Sequence, residues 1–142
     1  MILHAEPYSR PRLLAIHQKI AYVEIFICHP VRPYPSKKPA PPPRVIWLHL
    51  YSSGWSGWAS CPFPSAYSHI DPVQWASVFS KWKGLSVEES LETFSNHDDS
   101  HDMIRNKLAK TALLNMFENV DHRIKHKVLM DEAISYCYYR IN

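Results

Sequence analysis

All twelve prolines of this 142-residue chain lie between Pro7 and Pro72, and no proline follows. Proline locks φ and removes a backbone donor, so it is kept out of helix interiors and central strands. The chain therefore reads as two materials joined near residue 70. Residues 1–70 form a Pro-rich basic segment, and residues 71–142 are free to run in long helices. Charge divides in the same place. The first segment carries Arg10, Arg12, Lys19, Arg32, Lys37, Lys38 and Arg44 against Glu6 and Glu24, whereas the second is slightly acidic. The overall balance of +3 is too small to imply a nucleic-acid partner by itself. Apolar residues make up 46%, enough to bury one core.

Two strands are expected in the first segment. In "KIAYVEIFIC", Tyr22, Glu24 and Phe26 alternate with Ala21, Val23, Ile25 and Ile27, and the second set is wholly apolar. In "RVIWLHLYS", Val45, Trp47, His49 and Tyr51 alternate with Ile46, Leu48 and Leu50. Between them, "PYPSKKPAPPP" has no periodicity and suits polyproline II. Residues 52–70, rich in Ser, Gly and Pro, read as a loop.

Past residue 70 the pattern turns helical. Asp71 and Pro72 mark a helix start and Gly84 a stop, with Trp75, Phe79 and Trp82 along one stripe. Ser86 and Glu89 form a capping box. A long helix is expected from about Asp102 to Asn119, and a last one from Asp121 that carries Ile134 and Cys137 inward. The expected fold is α+β but mainly α. It has a C-terminal bundle of about four helices and a Pro-rich N-terminal half carrying two or so β-strands.

The longest apolar run, Ile20–Cys28, is nine residues interrupted by Glu24, short of the roughly 20 a membrane span needs. No membrane span or signal peptide is expected. Cys28, Cys61 and Cys137 are odd in number and lack a CxxC pair, which suits reduced thiols in a soluble, intracellular protein, cytoplasmic or nuclear.

"WSGWASC" resembles the Trp-Ser-x-Trp-Ser box of cytokine receptors and the opening of thrombospondin type 1 repeats. The cysteine ladder of the repeats is missing, and the next element is helical where the receptors need a sandwich of strands. Trp55 and Trp58 are then either covers for a core edge or anchors for a partner. In "PAPPPR", Pro39, Pro42 and Arg44 satisfy PxxPxR, the pattern that polyproline-binding Src-homology 3 domains recognise. The alternative is a rigid spacer.

His97 and His101 are spaced i, i+4, as are His122 and His126. On a helix this spacing can chelate zinc, although solvated surface histidines show it too. Arg123, Lys125 and Lys127 could meet phosphates in a nucleic-acid complex, or face only water. Gly54, Gly57 and Gly84 cannot form a phosphate-cradling loop, and no nucleophile elbow occurs.

The expectation is a small non-enzymatic protein that acts through protein–protein interaction, of the accessory or regulatory class that includes viral proteins. No cofactor is expected, with zinc the one candidate. Nucleic-acid binding and metal binding through the histidine pairs are the alternatives. Nothing in the sequence sets the oligomeric state.

Overall fold

The computed structural model describes residues 16–29, 44–63, 71–94, 103–116 and 123–142. Its centre is a four-stranded antiparallel sheet, not a helical bundle. The strands are β1 (Tyr22–Cys28), β2 (Arg44–Ser52), β3 (Trp55–Phe63) and β4 (Ser135–Arg140), in the spatial order β3-β2-β1-β4. The first two match the alternation in the sequence. The other two overturn the mainly-α expectation.

β3 replaces the expected loop, and two residues explain it. Ser53 and Gly54 both have positive φ, 42° and 90°, and form a two-residue hairpin turn that pairs Ser52 with Trp55. Positive φ at both central positions gives the twist that tight hairpins need. Gly57, which also reads as a loop residue, is small for a different reason. A Cβ there would lie 1.9 Å from the Ala112 carbonyl oxygen, so the strand accepts a helix directly against its backbone.

β4 replaces the end of the last helix. That helix stops at Glu132, and the chain turns to pair with β1, Ile25 opposite Cys137 and Phe26 opposite Tyr136. The aromatic, alternating run "SYCYYR" fits a half-exposed edge strand.

Among the described residues four helices accompany the sheet. α1 (Pro72–Ser77) continues as a 3₁₀ segment to Trp82, and α2 spans Val87–Glu92, α3 Met103–Asn115 and α4 Arg123–Glu132. The caps are those the sequence indicates. Asp71 accepts from the Val73 amide, and Ser86 and Glu89 close a reciprocal box.

The two faces of the sheet differ. Val23, Ile25, Ile27, Ile46, Leu48, Leu50 and Ala59 point to one side. There they join Phe79, Trp82, Val87, Leu108, Ala112 and Leu113 in the main core. Trp75, Phe79 and Trp82 are thus a core stripe, with Trp82 fully buried and Trp75 packed at the margin. The other side carries Glu24, Phe26, Trp47, His49 and Trp58, and α4 lies across it with Leu129 packed on Phe26 and Trp58. Cys28, Cys61 and Cys137 are free thiols. Among the described residues no helix is long and apolar enough to cross a membrane.

Candidate metal centre

Strand register builds the second face. Glu24 on β1 is paired with His49 on β2, and His49 with Trp58 on β3. Directly opposed residues project to the same side of a sheet. Glu24 and His49 are each only 4% exposed. Tyr136 reaches the same point from β4, and His126 descends onto it from α4.

The Glu24 carboxylate is the hub. His49 Nδ1 lies 2.7 Å from Oε1. His126 Nε2 lies 3.0 Å from Oε1 and 3.1 Å from Oε2. The Tyr136 hydroxyl donates to Oε2. Burial works against the ionised carboxylate, but the hydrogen bonds from His49, Tyr136 and His126 outweigh it and hold Glu24 below its usual range. Tyr136 moves the opposite way: burial, then its bond to Glu24, push its phenol up. Tyr22 beside them is pushed up to about 12, by burial first and by the Glu24 charge second.

Outer partners fix the rings. His49 Nε2 is 3.1 Å from Ser56 Oγ. A hydroxyl can donate or accept, so Ser56 supports either imidazole tautomer, including the one that leaves Nδ1 with a free lone pair. The His49 ring stacks on Trp58 at 4.0 Å and 16°, with the Tyr22 ring set edge-on at 6.0 Å. Phe26 meets His126 edge-on at 5.8 Å. These rings leave His49 little freedom and lower the local dielectric.

Taken together, Glu24, His49 and His126 each offer one ligand atom, all within 4.8 Å of one another. Zinc binds imidazole nitrogen and carboxylate oxygen at about 2.0–2.2 Å, which places neighbouring ligand atoms of a tetrahedral site about 3.3–3.6 Å apart. The Glu24–His126 contact at 3.0 Å must open by about 0.3 Å and the Glu24–His49 contact at 2.7 Å by about 0.6 Å to admit the ion. Two imidazoles and a carboxylate, with no thiolate among them, suit borderline divalent ions.

Of the histidines singled out by spacing, His126 stands in this cluster, and His97, His101 and His122 lie outside the described residues. Lys125 sits over the Trp47 ring at 4.8 Å, Lys127 is exposed, and Arg123 opens α4. Pro39 and Pro42 lie outside the described residues, and Arg44 begins β2 half-buried. Trp58 is 3% exposed, and Trp55 packs half-buried against the main core.

Spacing along one helix does not find Glu24, His49, Ser56 or Tyr136, because the cluster is assembled across two strand pairings and a helix. The available signal was a charged and an imidazole side chain, each inside an otherwise apolar strand. Antiparallel pairing then decides whether they meet. Comparison with protein-family models, with curated proteins and with solved structures finds no match.

Proposed function

We propose that this protein binds a divalent transition metal, with zinc as the reference ion, through Glu24, His49 and His126. One observation carries the reading. Three metal-ligating atoms of suitable chemistry converge on one point in a site walled by aromatic rings and shut off from most solvent. His49 also has the outer-shell partner, Ser56, that metal-bound imidazoles generally need.

Competing readings require more change. Docking a partner on Trp55 and Trp58 would break the Trp58–His49 stack and lift Trp55 from the core. Binding phosphates with Lys125 would draw it off Trp47. Metal binding uses groups that already converge on one point. It needs the three ligand atoms to spread by some tenths of an ångström and the two imidazoles to turn lone pairs, rather than N–H groups, toward the centre.

The test is thermal unfolding with and without zinc. A ligand that binds only the folded state raises Tm in proportion to RT ln(1 + [L]/Kd). The expected result is a saturable rise at one zinc per chain. It should be reduced at least about 10-fold in apparent affinity by His126→Ala, since even outer-shell changes cost 10–100-fold. Magnesium, which prefers an all-oxygen octahedron, should give no rise. An unchanged Tm with zinc, or an equal rise in His126→Ala, would overturn the reading.

A further inference from the structure

The number of ligands bears on what such a centre does. A closed structural zinc site takes four protein ligands, whereas a site with three keeps a position for an outside group. Among the described residues the cluster of His, Cys, Asp and Glu side chains has three members and no fourth. The two remaining polar neighbours are already engaged. Ser56 is held at His49 Nε2, the nitrogen that faces away from the centre. Tyr136 directs its O–H to Glu24 Oε2. Oε1 is the oxygen that both histidines approach most closely, so a metal there meets Glu24 through Oε1 and leaves Oε2 with Tyr136. That arrangement holds the carboxylate monodentate and stops it from filling a further position.

Charge narrows what can enter. Two neutral imidazoles and one carboxylate leave a divalent ion with a residual charge of about +1. The group that balances it is a monoanion with a hard donor atom. The approach is also defined. The Glu24 and His49 side chains are buried, whereas the His126 side chain is 38% exposed, and Tyr136, which shares the Glu24 carboxylate with it, is 40% exposed.

Resting on the metal-binding reading above, we infer that the centre is three-coordinate in protein ligands and holds an open position, on the His126–Tyr136 side, that takes a small monoanion of the carboxylate class. Tyr136 acts as a positioning residue, because it sets which oxygen Glu24 presents.

The experiment replaces zinc with cobalt(II), whose visible spectrum reports coordination number and ligand type, and titrates the loaded full chain with acetate and then with azide. The expected result is a saturable spectral change at one anion per metal. It should be absent in Glu24→Gln, which leaves the shape of the side chain and removes the ligand charge. In Tyr136→Phe the released Oε2 is free to chelate, so the anion should bind several-fold more weakly while cobalt stays bound. If cobalt binds with its spectrum unmoved by either anion, the open position is wrong and the metal-binding reading stands. If cobalt does not bind at all, both fall. If Tyr136→Phe binds anion as the unaltered protein does, its positioning role is wrong.

Discussion

A carboxylate inside a sheet is among the most expensive placements a fold can make, and Glu24 shows how it is tolerated. Breaking a buried, hydrogen-bonded ionic group by removing its partners costs about 3–5 kcal/mol. Glu24 avoids that by accepting from His49, His126 and Tyr136 together. The partners are not equivalent. His49 is sealed between Trp58 and Tyr22, whereas His126 is more than a third exposed. Glu24→Gln keeps the volume but faces one of these donors with an amide group. It should lower stability by about 1–3 kcal/mol in a urea titration, with an unchanged m-value. His126→Ala should lower it by less than about 1 kcal/mol, because solvent replaces the lost contact. The pair separates stability from binding, since both variants should bind the metal at least about 10-fold more weakly. At this scale the sequence was half legible. Glu24 interrupting an apolar strand is visible at once, but its partners stand 25 and 102 positions away. No spacing rule reaches that far.

Elements tell a similar story with different physics. The helix caps at Asp71 and Ser86 are local chemistry, and they sit where the residues indicate. β1 and β2 are also local, since alternation with a fully apolar face specifies a strand without help. β3 is not. "WSGWASCPF" carries glycine and proline, and becomes a strand because β2 offers it a partner and α3 presses on Gly57. Asn115 adds a tether, donating from Nδ2 to the Trp58 carbonyl at 2.6 Å. Gly57→Ala drives a methyl into the α3 backbone and should cost about 1–3 kcal/mol or more, read as a fall in Tm. Gly54→Ala meets no neighbour, yet forces a side chain onto a φ of 90°, and should cost about 1 kcal/mol. If Gly57→Ala proved the milder of the two, the close approach of α3 to β3 would be wrong. β4 was hidden for another reason. Its tyrosines follow a helix without a glycine or proline between them, so helical periodicity runs on through the boundary.

Across the whole molecule, β1 is the organising strand. It pairs with β2 on one side and with β4 from the far end of the chain on the other, so one sheet draws on both compositional halves. α1 packs on β1 and β4, and α3 on β3 and β2. Residues 71–142 alone would therefore leave the apolar faces of α1 and α3 without a sheet to cover them. That fragment should show no cooperative unfolding transition by circular dichroism, whereas the full chain should show one. The thiols give a second readout. Burial raises the pKa of all three thiols, but Cys28 and Cys137 are buried whereas Cys61 is only half-buried. The buried pair should resist alkylation at neutral pH until the whole sheet opens, with Cys61 on edge strand β3 reacting first.

The proposed metal centre can form only at this largest scale, because it needs β1, β2 and α4 in register at once. X-ray absorption at the zinc edge on the loaded full chain tests it most directly. The expected result is a shell of nitrogen and oxygen at about 2.0–2.1 Å, with the outer scattering of two imidazoles and no sulfur. That outer scattering should be reduced in His126→Ala. A sulfur shell near 2.3 Å, or a shell of water alone, would contradict it.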